Sequence, residues 1–257
     1  MNEERISRRH FLKTAGGVTL VVVTGGLLLK SRAEGQTGNG YSADEHYWGF
    51  AIDTSKCIGC GKCVLACKQE NHVPMEPESY RTWVDRYVIT ENGEVLKDSP
   101  DAGIAGFPPL SENPSYQGLQ IKETFFVPKL CNQCENPPCV SVCPVKATYT
   151  TKDGVILVDE KRCIGCKYCI VACPYGVRYL HPETKVADKC TFCYHRVVKG
   201  LQPACVQVCP TQARIFGDLR DPESPVTKLL VESVQVLKPE YGTKPKVYYV
   251  RLPEGVN

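Results

Sequence analysis

With 257 residues and a formal net charge of +3, the chain is long enough for one large domain or two small ones. Residues 1–33 hold Arg5, Arg8, Arg9, Lys13, Lys30 and Arg32 against Glu3 and Glu4, so this short stretch carries the basic surplus and the remainder is slightly acidic. That balance excludes nucleic acid as an expected partner. No open-site metal motif, phosphate-cradling glycine loop or catalytic triad is present, so the chain itself is not expected to transform a substrate.

In chain order, Ser7-Arg8-Arg9-His10-Phe11-Leu12-Lys13 fits the twin-arginine export pattern S-R-R-x-F-L-K at every defined place. An apolar run from Ala15 to Leu29 follows, short for a membrane span, and Ser31-Arg32-Ala33 offers a small-x-small cleavage site. Residues 1–33 are expected to be a signal peptide, with an uncleaved anchor as the alternative. This route exports folded proteins, so the expected destination is the periplasm or the extracytoplasmic face of the membrane. Residues 34–47 read as a flexible lead-in. Trp48 to Asp53 alternates as a strand does and delivers the chain to Cys57.

The cysteines set the rest. All sixteen fall into four groups of four: Cys57, Cys60, Cys63, Cys67; Cys131, Cys134, Cys139, Cys143; Cys163, Cys166, Cys169, Cys173; and Cys190, Cys193, Cys205, Cys209. The third group reads C-x2-C-x2-C-x3-C-P, the spacing by which bacterial ferredoxins hold iron–sulfur clusters, with the fourth cysteine serving the neighbouring cluster. The first group repeats it, CIGCGKCVLAC against CIGCKYCIVAC, except that Lys68 replaces the proline and lets the turn continue as a helix. Groups two and four are also relatives: CVSVCPVKA at 139–147 parallels CVQVCPTQA at 205–213. Structural zinc needs two pairs per site and leaves the third cysteine of C-x2-C-x2-C idle. Disulfides are the third reading, and repeated C-x2-C pairs make a poor framework for closing long loops. Iron–sulfur ligation uses every cysteine.

Residues 69–128 lack cysteine and read as an excursion over the cluster core, with a turn at Glu91-Asn92-Gly93-Glu94 and a Pro/Gly-rich loop from Gly103 to Pro114. Tyr80, Trp83 and Tyr87 read as packing residues rather than electron relays, and the same reading covers His72, His181 and His195. Thr148–Thr151 and Val155–Val158 flank Lys152-Asp153-Gly154 as a hairpin with a type I′ turn. In the tail, Ser224 and Pro225 signal a helix start, and Val226, Leu229, Leu230, Val234 and Leu237 give that helix one apolar face. Lys246–Val250 reads as a strand. Lys56, Lys62, Lys161, Arg162, Lys167 and Lys189 flank ligands; both potential tuning and a solvated, charge-balancing face fit them. After residue 33 no run is long enough to span a membrane, so attachment is expected only through a partner.

These groups, with Ala187-Asp188-Lys189-Cys190-Thr191-Phe192-Cys193, Pro203-Ala204-Cys205 and Leu237-Lys238-Pro239-Glu240, resemble the four-cluster electron-transfer subunits of the dimethyl sulfoxide reductase superfamily of molybdopterin enzymes. The resemblance covers residue 48 to the end. It implies an α+β, loop-rich fold of two ferredoxin-like halves with short β-hairpins and helices. The halves would be 48–75 with 185–220, and 125–184, with 76–124 as an insertion and 221–257 as a helix-and-strand tail. It also implies exchanged fourth ligands and four [4Fe–4S] clusters: Cys57, Cys60, Cys63 with Cys209; Cys190, Cys193, Cys205 with Cys67; Cys131, Cys134, Cys139 with Cys173; and Cys163, Cys166, Cys169 with Cys143. The implied role is electron relay between an integral membrane quinol-oxidising subunit and a molybdopterin catalytic subunit. A free polyferredoxin and a zinc-stabilised structural module are the alternatives.

Overall fold

The computed structural model describes residues 40–76, 78–253 and 256. The expected export signal, 1–33, and residues 34–39 lie outside them. Residues 41–47, expected to be flexible, are instead tied to the body. Tyr41 donates to the Asp153 carboxylate, Tyr47 Oη donates to Glu135 at 3.0 Å, and His46 Nδ1 lies 2.8 Å from Asp218. The rings of Tyr41, His46, Trp48 and Phe216 stack in a row with centroids 5.2, 4.8 and 5.2 Å apart. Ring packing of this kind overrides the polar composition that suggested a tether.

Strand β1 (Trp48–Asp53) leads through a 3₁₀ turn at Thr54–Lys56 to the first cysteine loop and helix α1 (Lys62–Glu70). The helix runs past Cys67 because residue 68 is lysine, as expected from the missing proline. The buried Lys68 ammonium then donates to the carbonyls of Pro74, Glu76 and Ser79 at 2.6, 3.0 and 2.6 Å, clamping the entry to the excursion. That excursion forms a three-stranded antiparallel sheet, ordered β3–β2–β4, from β2 (Thr82–Thr90), β3 (Val95–Asp98) and β4 (Ile121–Leu130). Strand β4 runs directly into Cys131.

The second and third cysteine groups carry the short helices α2 (Pro138–Ser141) and α3 (Tyr168–Val171), which pack on each other. Between them, β5 (Thr148–Thr150) and β6 (Ile156–Val158) pair as the expected hairpin, Thr148 opposite Val158. The turn is not type I′, which needs positive φ at both central residues. Of its residues only Gly154 has positive φ, +81°, so this is a three-residue loop closed by a left-handed glycine. A second ladder pairs β7 (Tyr179–Leu180) with β8 (Ala187–Asp188). The fourth group carries α4 (Tyr194–Val197) and α5 (Ala204–Gln207), and α5 packs on α1.

The chain then returns along β9 (Arg214–Asp218). Helix α6 (Pro225–Leu229) begins at Ser224–Pro225 as expected but lasts only five residues. Val234 belongs to β10 (Val234–Gln235), and Leu237 is buried beyond it, so the apolar spacing spans a helix, a strand and a loop. Ser224 makes no capping bond, because its hydroxyl is buried against Gly217. The last strand, β11 (Val247–Val250), pairs parallel with β1, giving the sheet order β10–β11–β1–β9. Covered on both faces, β1 is buried from Gly49 to Asp53 rather than alternating.

The excursion touches the first cysteine loop closely. Gly61 has φ +69°, and a Cβ there would lie 2.1 Å from the Gly103 carbonyl oxygen and 2.4 Å from that of Ile104. Gly61→Ala is therefore expected to cost roughly 3 kcal/mol, combining left-handed strain with backbone overpacking. A urea midpoint equal to the parent's would contradict this contact.

Candidate metal centres

Each cysteine loop begins with the same backbone device. The residue two after the first cysteine is left-handed in all four groups: Gly59, Gln133, Gly165 and Phe192, with φ of +67°, +46°, +67° and +55°. Two of the four are not glycine, a conformation that persists only where its surroundings enforce it. Gln133 is wholly buried; its amide nitrogen donates to the Cys190 carbonyl at 2.8 Å and its oxygen accepts from Ile156 N–H at 2.7 Å. A second left-handed residue follows three positions after the last cysteine wherever proline comes next: Lys146, Gly176 and Gln212. It swings the following amides back toward the sulfur. Ala147 N–H donates to Cys143 Sγ at 3.2 Å, and the amides of residues 145–148 all face that thiol.

Folding gathers the sulfurs in threes plus one. Cys57, Cys60 and Cys63 line one cavity with Cys209. Cys190, Cys193 and Cys205 line another with Cys67. Around Cys134 lie Cys131, Cys139 and Cys173, and Cys169 faces Cys163 and Cys143. Cys166, in the same loop as Cys163, is the exposed member. None of the sixteen is joined in a disulfide in this structure. Among the described residues, no three His, Cys, Asp or Glu side chains converge at the spacing of a single metal ion.

The electrostatics divide the thiols by position. Burial pushes Cys57 up to about 11 and Cys134 and Cys205 up to about 12, and it raises Cys67 and Cys190 as well. Cys143 and Cys209 go the other way: burial opposes ionisation there too, but backbone amides donated by the turn after each proline outweigh it. The four exposed lysines beside the ligands, Lys56, Lys62, Lys161 and Lys167, and the exposed Arg162 sit in solvent, whereas Lys189 is 0% exposed. Arg178, 5% exposed, and Arg214, 2% exposed, are among the buried cations beside the thiols that escaped sequence reading. Each lies five residues after a ligand, Cys173 and Cys209, so the doubled C-P pattern held the signal. Arg178 Nη2 donates to Cys139 Sγ at 3.0 Å.

Upstream, Asp53 fixes the approach to Cys57. Its wholly buried carboxylate accepts from Ser55 N and Oγ at 3.2 and 2.6 Å and from Arg251 at 2.5 Å. Burial opposes its ionisation, but Ser55, Arg251 and Lys56 outweigh that and hold it below the usual carboxylate range. A carboxylate depressed on folding stabilises the fold above its unfolded value, about pH 4, and this is lost as pH falls through the folded value. Asp53→Asn is thus expected to lower stability by about 1–2 kcal/mol at pH 7, a modest figure because Arg251 is half exposed. The gap to the parent should close as pH drops below about 4; urea midpoints with a gap constant from neutral to acid would contradict it.

The donor set fits iron–sulfur cubanes. Three closely spaced thiolates plus one from a second loop is the dicluster arrangement. Arg214 supplies an independent sign: its Nε and Nη1 are buried without a hydrogen-bond partner, and it lines the cavity of Cys57, Cys60, Cys63 and Cys209. Inorganic sulfides in that cavity would accept from these donors, whereas a bare apolar hole would leave them desolvated.

Comparison with known proteins gives the same class of centre. The 4Fe-4S dicluster domain matches residues 56–147 and again 122–219. A tetrathionate reductase subunit of Salmonella typhimurium is 39% identical over 256 residues, 97% of this chain and 90% of the relative. A polysulfide reductase chain of Wolinella succinogenes is 42% identical over 211 residues, 81% of this chain and 96% of its own length. A putative dimethyl sulfoxide reductase iron-sulfur subunit of Halobacterium salinarum is 41% identical over 225 residues, 79% and 78% of the two proteins. Two dicluster domains with sixteen cysteines are the complement for four [4Fe–4S] clusters. This protein belongs to the 4Fe-4S dicluster family of iron–sulfur electron-transfer subunits that act within multi-subunit reductases.

Proposed function

We propose that this chain relays single electrons through four crossed quartets, from a quinol-oxidising membrane subunit to a molybdopterin catalytic subunit. The quartets are Cys57, Cys60, Cys63 and Cys209; Cys190, Cys193, Cys205 and Cys67; Cys131, Cys134, Cys139 and Cys173; and Cys163, Cys166, Cys169 and Cys143. The observation that carries the reading is the pair of cavities in which three cysteines of one group meet the fourth cysteine of another. Packing of α1 on α5 and of α2 on α3 supports the same pairing, and with it two ferredoxin-like halves, 48–75 with 185–220 and 125–184. Bound cubanes supply one-electron carriers. The protein's part is to hold the thiolates, aim amides and guanidinium groups at sulfur, and enclose the quartet of Cys67, Cys190, Cys193 and Cys205, all four of which are buried.

The fourth quartet lies nearest solvent, with Cys166, Ile164, Tyr168 and Val171 exposed around it. Such a patch beside a redox centre suits the end that meets a partner. Relatives named for tetrathionate and polysulfide reductases support a sulfur oxyanion or polysulfide as the terminal acceptor. The Ser7–Lys13 motif supports export of the folded, loaded chain to the periplasm by the twin-arginine route, where free thiols would otherwise oxidise. None of the described helices is long and apolar enough to cross a membrane.

Anaerobic co-purification from the native host tests this. The expected result is a complex holding a molybdopterin subunit, in which added quinol bleaches the iron–sulfur absorption of this chain. A loaded chain that purifies alone and is not reduced by quinol would make it a free polyferredoxin instead.

A further inference from the structure

Building on the crossed quartets proposed above, we propose that Arg214, Lys189 and Arg178 form a row of buried cations interleaved with the four clusters, one at each junction, and set the potentials of the clusters they separate. At the first junction, Arg214 lines the cavity of Cys57, Cys60, Cys63 and Cys209. Its Nη2 donates at 2.8 Å to Oγ1 of Thr82, which lines the cavity of Cys67, Cys190, Cys193 and Cys205. Its charge falls on Cys63, Cys205, Cys57 and Cys67, two from each quartet.

Lys189 occupies the middle junction. Its ammonium donates to the Cys190 carbonyl at 2.8 Å and to the Ile156 carbonyl, and Ile156 packs with Cys139. It thus stands between the quartet of Cys190 and the quartet of Cys131 and Cys139. At the last junction, Arg178 Nη2 donates to Cys139 Sγ at 3.0 Å and Nη1 to Thr148 Oγ1 at 3.5 Å. The backbone amide of Thr148 faces Cys143, and Arg178 also faces Cys169, so it joins the third quartet to the fourth.

Among the described residues, none of these three cations has a carboxylate partner. Arg81 and Arg86, by contrast, pair with Asp188 and Asp98 at 2.9 and 2.7 Å. A buried cation without a counter-ion is strongly unfavourable unless a nearby negative charge offsets it. Among the described residues, the negative groups facing these positions are the cysteine sulfurs of the quartets. A fixed positive charge favours the reduced, more negative form of each neighbour and so raises its potential.

The test is an EPR-monitored redox titration of the full loaded protein, with iron and acid-labile sulfide measured alongside. In Arg214→Met, the reduced-to-oxidised ratio at a fixed potential should fall about tenfold for each flanking cluster, or about 59 mV for a one-electron couple. That is the size expected for a unit charge about 10 Å away at an effective dielectric near 20. The other two clusters should hold their potentials. Arg178→Met should shift the opposite pair, and Arg214→Lys and Arg178→Lys should titrate like the parent. Full iron with unshifted potentials, or an equal shift of all four clusters, overturns the inference. If the methionine variants fail to load iron, the lysine variants decide: loading with parental potentials supports a charge requirement, and failure to load overturns it. A parent protein without acid-labile sulfide would defeat the proposed function itself, and this inference with it.

Discussion

Chelation of the iron is expected to unfold this protein rather than leave a stable apo form. Helices α2, α3, α4 and α5 have four residues each, and the β7–β8 ladder pairs two residues a side. Helices this short do not persist in water on their own. Around the third and fourth quartets the buried part of the separate apolar cluster is Ile156 and Ala187 with two ligands, Cys139 and Cys169, and only Val140, Cys163 and Ile170 pack on it half-buried. Net stability of a domain is only about 5–15 kcal/mol, and where ligands converge only in the folded state, metal binding free energy is folding free energy. The order of loss should follow the packing. Amides of β5, β6, α2 and α3 should exchange first, while β1, paired with β9 and β11 and packing its Phe50 against Phe192 and Phe216, should hold longest. Hydrogen exchange during anaerobic chelation reads this directly. Native-like protection in β5 and β6 after all iron is gone would contradict it.

The second large effect concerns the exchanged ligands. Cys57→Ser and Cys209→Ser should damage the same centre, so their difference spectra should match and the double variant should add nothing further. Non-additivity of this kind marks residues that act as one unit. Cys67→Ser should likewise reproduce Cys190→Ser, 123 positions away in the sequence. Iron should fall from about 16 to about 12 per molecule in each case, one cubane lost. A Cys209→Ser spectrum that matches Cys190→Ser would mean that the fourth group keeps its own fourth cysteine, and one that matches Cys131→Ser or Cys163→Ser would mean that the halves pair differently.

Much of this site was legible because cysteine spacing is chemistry written in one dimension. The four groups, the helix running on through Lys68 and the hairpin at 148–158 all follow from local signals. What escaped was non-local or conformational. Val226, Leu229, Leu230, Val234 and Leu237 satisfy a helical period, but tertiary pairing of β10 with β11 takes Val234 out of the helix. The parallel pairing of β11 with β1 joins residues 197 apart, Phe50 to Val247, and carries no local mark. Gln133 and Phe192 adopt a glycine conformation without being glycine. Arg178 and Arg214 were visible as residues but not as buried charges, since five positions after a ligand reads equally well as solvent. Lys189, grouped with the exposed lysines by proximity to a cysteine, differs from them only in burial.

Iron and acid-labile sulfide counted per molecule, on anaerobically purified protein, test the central claim most directly. Four thiolate quartets predict about 16 of each per molecule. Protein that carries zinc without sulfide, or iron in a number that leaves whole quartets empty, would contradict it.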